Sequence, residues 1–264
     1  MHGCGNDFIL VDNREMTVSH AEQPGLAEKL CRRKFDIGAD GLVFIEKPDG
    51  DEADFKWKFY NADGSEAEMC GNGGRCAALF AWLNKITGRE LAFETLAGVI
   101  HASITGENQV KLQLTPPTDL ATGLKAEIDG RELVLDCINT GVPHACCLVD
   151  DIDAVDVEQT GRAIRFHKLF APNGTNVNFV TVHDSQTISI RTYERGVEAE
   201  TMACGTGAVA SAIVSAISGR TESPVDVRVA GGDVLKIHFS IKGQEIVDVF
   251  MEGPAVPVCI GETL

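Results

Sequence analysis

Two stretches of the sequence set a cysteine in nearly the same surroundings. Glu66-Ala67-Glu68-Met69-Cys70-Gly71-Asn72-Gly73 and Glu198-Ala199-Glu200-Thr201-Met202-Ala203-Cys204-Gly205-Thr206-Gly207 each carry one thiol into a Gly-x-Gly turn, and each leads into an apolar, alanine-rich run that reads as a helix. The two cysteines stand about half the 264-residue chain apart, so a duplicated fold would bring one thiol from each half to a shared cleft. Two opposed thiols suit the movement of a proton from one face of a carbon to the other. A lone cysteine beside glycine is only a small residue in a tight turn. Two copies in matched context favour chemistry, because the amides and dipole of a helix start hold an anion and stabilise a thiolate.

The elements that must position these thiols repeat as well. Residues 55–60 alternate Phe55, Trp57 and Phe59 against Lys56, Lys58 and Tyr60, and residues 187–193 alternate Ile188, Ile190 and Thr192 against Ser189, Arg191 and Tyr193. Both segments read as strands running into the cysteine turns. The helices follow over residues 75–83, closed by Thr87-Gly88, and over residues 208–214, closed by Gly219. Neither helix has a polar stripe, so each must be covered on all sides. After each helix comes a hairpin, turning at Gly106-Glu107-Asn108 and at Lys242-Gly243-Gln244 and ending at Pro116-Pro117 and Pro254. The predicted fold is α+β, with two pseudo-symmetric domains, each a curved mixed or antiparallel sheet wrapped around a central apolar helix. Residues 1–115 plus 252–264 form the domain carrying Cys70, and residues 116–251 the domain carrying Cys204, with the active site in the cleft between them.

Composition removes several function classes. A net charge of −16 repels phosphate backbones and anionic lipid, which argues against nucleic-acid and membrane-surface partners. No apolar run approaches the ~20 residues needed to span a bilayer, and the N-terminus lacks a secretory pattern, so the expected location is the cytoplasm. The nine cysteines are odd in number and include no Cys-x-x-Cys pair, which implies neither a disulfide framework nor zinc. Zinc would want four ligands, and His144 in Gly141-Val142-Pro143-His144 is the one histidine in a comparable turn; no metal is expected. Cys31, Cys76, Cys137, Cys146, Cys147 and Cys259 lack the turn context and read as packing residues. Cys4 precedes the polar turn Gly5-Asn6-Asp7.

Five motifs in order then converge. Met1-His2-Gly3-Cys4-Gly5-Asn6-Asp7-Phe8, Tyr60-Asn61-Ala62-Asp63-Gly64-Ser65-Glu66, Cys70-Gly71-Asn72-Gly73-Gly74-Arg75-Cys76, Tyr193-Glu194-Arg195-Gly196 and Ala203-Cys204-Gly205-Thr206-Gly207 together resemble the diaminopimelate epimerase family. The resemblance implies a cofactor-independent isomerase that epimerises one stereocentre of LL-diaminopimelate to the meso form, a step toward lysine and peptidoglycan precursors. Cys70 and Cys204 match the family's base and acid, and His144 and Glu194 match residues close to that chemistry. Asn6, Asn61, Asn176, Glu194 and Arg195 match positions holding the amino and carboxylate groups. The backbone amides of Gly71, Asn72, Gly205 and Thr206 would take the reacting carboxylate. The implied partner is a small amino-acid substrate, and a homodimer is a further expectation of the resemblance.

Other readings stand beside these. Glu194-Arg195 could be a surface ion pair, and His144 a hydrogen-bonded core imidazole. Many relatives read Gly-Asn-Pro-His where this chain has Val142, and some carry Gln where it has Gly41, which bears on the substrate's distal end. A proline or hydroxyproline racemase shares the two-cysteine plan but has His where this chain has Asn72 and lacks the Gly74-Arg75-Cys76 run. Arg195 suits a second carboxylate that proline does not have. A non-catalytic carboxylate-binding protein would use the same helix starts with incidental cysteines.

Overall fold

In the computed structural model, residues 1–243 and 245–262 are described, and the chain divides into two compact units. One comprises Met1–Gln113 with the returning chain from Gly253, and the other Leu114–Glu252.

The first unit contains β1 (His2–Gly3), β2 (Asn6–Asp12), α1 (Gln23–Leu30), β3 (Gly41–Glu46), β4 (Phe55–Asn61), α2 (Gly71–Leu83), β5 (Glu90–Thr95), β6 (Gly98–Ile104) and β7 (Gln109–Gln113). Its strands pair in chain order. The β2–β3 and β4–β5 pairs are parallel and the others antiparallel. A parallel pair cannot be closed by a hairpin, and α1 and α2 are the crossovers that close these two.

The second unit contains β8 (Thr118–Ile128), β9 (Arg131–Asn139), β10 (Pro143–Leu148), α3 (Val157–Arg165), β11 (Asn176–Asp184), β12 (Thr187–Glu194), β13 (Ala199–Thr201), α4 (Gly205–Ile217), β14 (Val225–Arg228), β15 (Val234–Lys242) and β16 (Glu245–Pro254). Here β10–β11 and β12–β14 are the parallel pairs, crossed over by α3 and α4, and the remaining pairs are antiparallel. The series β2-α1-β3-β4-α2-β5-β6-β7 therefore recurs as β10-α3-β11-β12-α4-β14-β15-β16. Gln244, in the turn expected before β16, lies outside the described residues, as do Thr263 and Leu264.

Each sheet wraps its apolar helix. α2 packs on β1, β2, β3, β6 and β7, and α4 on β9, β10, β11, β12, β14 and β15. Cys76 to Leu79 and Ala208 to Val214 are buried without interruption, which the absence of a polar stripe requires. Register shifts between Val182 and Asp184 and between His238 and Ser240 bend the strands around α4.

The two helices end alike. The N–H groups of Lys85 and Ile86 bond the carbonyls of Trp82 and Ala81, and those of Gly219 and Arg220 bond Ala216 and Ser215, a Schellman pair in each case. The left-handed residue is Gly219 (φ 72°) in α4 but Lys85 (φ 58°) in α2, so the first helix stops before the Thr87-Gly88 signal.

The strand alternation misses a second cover. Tyr60 and Tyr193, the only tyrosines in the chain, fall on the outward set of their strands yet are buried, because α1 and α3 lie over that face. Gly161 of α3 approaches so closely that a Cβ would stand 2.6 Å from Tyr193 Cβ. Asp156 caps α3 by accepting from the Gln159 N–H at 2.9 Å, a signal present in the sequence but hidden among the neighbouring acids.

Candidate active site

In the first unit Cys70 is the N-cap of α2. Its backbone is extended (φ −143°, ψ 118°), and the helix begins with the Gly74 N–H bonded to the Cys70 carbonyl at 2.7 Å. The first-turn amides, beginning with Gly71 and Asn72, have no carbonyl inside the helix to bond. Cys70 Sγ donates to Asn6 Oδ1 at 3.8 Å, and Asn72 Nδ2 donates to the same oxygen at 3.4 Å. Asn6 Nδ2 in turn donates to Asp40 Oδ2 at 2.5 Å. Arg33 bonds Asp40 at 2.8 Å and forks onto both oxygens of Asp7. Burial pushes the Asp7 carboxyl up, but Arg33 and the Asp40 contacts outweigh it and hold it below the usual range.

Behind this row lies Arg75, whose side chain is fully buried. Its Nη2 donates to Asn72 Oδ1 at 2.7 Å, Nη1 to the Gly71 carbonyl at 3.3 Å and Nε to the Pro254 carbonyl at 3.1 Å. The guanidinium thereby fixes which way the Asn72 amide points. Asn61 is held by its own turn, donating to Ser65 Oγ at 3.0 Å. At Gly41 a Cβ would stand 2.5 Å from Phe59 Cε2, so the Phe59 ring occupies the space a longer side chain would need.

In the second unit Cys204 is the N-cap of α4 with a matching backbone (φ −121°, ψ 106°), and the Ala208 N–H bonds its carbonyl at 2.9 Å. The Cys204 Sγ and Thr206 Oγ1 atoms are 3.5 Å apart, and the Thr206 carbonyl accepts from Thr140 Oγ1 at 3.0 Å. Gly205, between them, packs on the Met251 sulfur.

Asn176 joins two loops. Its Nδ2 donates to the Pro143 carbonyl at 3.0 Å, and its Oδ1 accepts from the Arg195 N–H at 2.8 Å. Half-buried Glu194 accepts from Thr201 Oγ1 at 3.0 Å, and burial raises its carboxyl above the ordinary glutamate range. No ion pair joins Glu194 to Arg195 among the described residues; the Arg195 guanidinium reaches only the Asn173 carbonyl, at 3.5 Å. The turn between them and β13 is held by Glu198, which accepts from the Gly196 N–H and pairs with Arg165.

His144 is buried on β10, and Asn178 Nδ2 lies 3.0 Å from its Nδ1. Burial, then the charge of Arg195, pushes the imidazole down to about 3, so the ring is neutral at pH 7. Its Nε2 is buried with no hydrogen-bond partner among the described residues.

The family model for diaminopimelate epimerase matches residues 1–120 and 137–258. The chain is 48% identical over 269 residues to the diaminopimelate epimerase of Aquifex aeolicus (strain VF5), covering 99% of this chain and 95% of that one. The chain belongs to the diaminopimelate epimerase family. To a second member, from Hydrogenobaculum sp. (strain Y04AAS1), it is 45% identical over 268 residues, covering 98% of this chain and 95% of that one. Among solved structures it is similar to a Bacillus anthracis phenazine biosynthesis protein of the PhzF family, with TM-score 0.71 and 15% identity over 96% of this chain and 92% of that one. It is also similar to a probable proline racemase from Agrobacterium radiobacter K84, with TM-score 0.69 and 16% identity over 96% of this chain and 88% of that one. These two share the diaminopimelate epimerase fold, and at such identity the likeness extends to fold alone.

In this diaminopimelate epimerase family member several polar residues beside the matched motifs escape a sequence reading. Arg75 stands out in the sequence as the one charge of an apolar helix, and Asn178 as a polar residue among the apolar ones of β11, but neither residue's partners are legible there. Asp40 and Thr201 carry no such mark, since exposed-looking acids and threonines are common.

Proposed function

We propose that this chain interconverts LL- and meso-diaminopimelate without a cofactor, one cysteine acting as thiolate base on the α-proton and the other as thiol donor to the opposite face. The observation that carries the reading is the equivalence of Cys70 and Cys204: each is the extended N-cap of the second crossover helix of its repeat, ahead of a glycine-rich first turn. Such a turn offers amides to a carboxylate whose charge grows as the proton leaves, and donors set for that charge stabilise the enediolate-like state more than the ground state.

Helix ends alone are insufficient. A helix terminus contributes on the order of 0.3–1 kcal/mol, ~2 when partly buried, against the ~8–23 kcal/mol enzymes supply. Positioning and the exclusion of water must provide the rest. Glu194, half-buried and in no ion pair among the described residues, suits the substrate ammonium, and the fork of Arg195, which has no carboxylate partner among those residues, suits the carboxylate that does not react, a group that proline substrates lack. Asn6, Asn61, Asn72 and Asn176 are proposed to orient the same substrate, with His144 beside the reacting centre. A homodimer and a cytoplasmic location belong to the same proposal; light scattering would read the dimer as twice 28.3 kDa.

The deciding experiment is turnover of LL-diaminopimelate in deuterium oxide. Wild type should place solvent deuterium at one α-carbon, and Cys70→Ser and Cys204→Ser should each lose on the order of 10²–10⁴-fold in rate. A protein that binds the substrate yet exchanges no α-proton would instead be a carboxylate-binding module.

A further inference from the structure

Several buried polar residues have no task in the mechanism above, and Asn178 is the one that touches His144. Asn178 is fully buried on β11, two residues beyond Asn176, and every polar atom of its side chain is engaged. Oδ1 accepts from Thr192 Oγ1 at 2.9 Å, while Nδ2 faces His144 Nδ1 at 3.0 Å and Cys146 Sγ at 3.8 Å. The orientation of this amide has a second cause. Its Oδ1 lies against the first turn of α4, where a Cβ on Gly207 would stand only 2.3 Å away, and a helix start is the positive end of the dipole. Oxygen is favoured there over an NH₂ group, so the NH₂ is turned toward His144.

A neutral imidazole has one N–H to place, and the nitrogen that accepts from an amide cannot carry it. We propose that Asn178 is a positioning residue for the reaction: its amide locks His144 in the tautomer protonated on Nε2, so that His144 enters the site as a hydrogen-bond donor and not as a proton acceptor. The glycine at 207 is what admits the amide in that orientation. The orphaned, buried Nε2 is the atom this arrangement holds ready. The proposal rests on the epimerase reading for its functional half, and on the hydrogen-bond geometry alone for its tautomer half.

The test uses the full chain with ¹⁵N-labelled histidine and two-bond ¹H–¹⁵N correlations, the His144 signal being assigned by its loss in His144→Gln. Wild-type His144 should show the Nε2–H tautomer; an Nδ1–H or doubly protonated ring in wild type overturns the proposal without any variant. Asn178→Asp replaces the donor by an acceptor and should move the proton to Nδ1. In that variant kcat for deuterium incorporation should fall on the order of 10²-fold with KM little changed. A switched tautomer with unchanged kcat overturns the positioning role. Thr192→Val, which removes the hydroxyl from Oδ1 and leaves Asn178 in place, should give a mixture of tautomers, and a pure Nε2–H signal there would count against the orientation argument. Absence of turnover in wild type would sink the epimerase reading while the tautomer is still read directly.

Discussion

Glu194 illustrates how a residue set for binding is held against its own preference. Its carboxyl is raised by burial and relieved only by the Thr201 hydroxyl. A group with a raised folded value contributes stability while protonated, below the unfolded value, and that contribution is lost as pH rises through the folded value. At neutral pH the ionised side chain therefore works against folding. Glu194→Gln, which keeps the shape and the bond from Thr201, should raise the melting temperature at pH 7, with the gain shrinking toward acid pH, while turnover of diaminopimelate falls. Calorimetry across pH together with a turnover assay checks both halves; a variant less stable than wild type at pH 7 would contradict the sign.

At the scale of elements, the two crossover helices carrying the cysteines are the same device built from different residues. Both close with a left-handed residue and the same pair of carbonyl bonds, but α4 uses Gly219 and α2 uses Lys85. A non-glycine residue in that conformation costs roughly 1–2 kcal/mol. Equivalent positions should thus respond with opposite signs. Lys85→Gly should stabilise the protein by up to about 1 kcal/mol and Gly219→Ala should destabilise it by about 1–2 kcal/mol, read as shifts in urea midpoint at constant slope. Equal responses would mean that the two ends are not energetically alike. The same comparison explains why α1 and α3 were harder to foresee than α2 and α4. Short helices of mixed polarity on the outer face leave no unbroken apolar run, and their burial of Tyr60 and Tyr193 depends on the sheet beneath them.

Across the whole molecule, acid sensitivity should concentrate in the first unit. Glu46, at the end of β3, is buried and accepts from Asn13 Nδ2 at 2.9 Å and Gln23 Nε2 at 2.6 Å, with His20 Nε2 2.9 Å from its other oxygen. Burial pushes this carboxyl up, but the three bonds outweigh it and hold it below the ordinary glutamate range. Its stabilisation is present above the unfolded value and lost as pH falls through the folded one. Glu46→Gln should cost about 1–3 kcal/mol at pH 7, and the two unfolding curves, followed by circular dichroism, should converge only as pH falls below the ordinary glutamate range. Much of this protein was written locally. The Gly-x-Gly turns at Cys70 and Cys204, the stripe-free helices and the alternating strands each rest on neighbours in the chain, and so the repeat is legible in the spacing, and the resemblance to the family in the motifs themselves. The partners of the buried polar groups could not. His144, Asn178, Thr192 and Gly207 meet because β10 pairs in parallel with β11 and α4 crosses beneath them, and Asn72 links Arg75 to Asn6. Which nitrogen of an imidazole carries the proton, and which way an amide points, depend on burial and on contacts far apart in sequence, so the packed structure alone decides them.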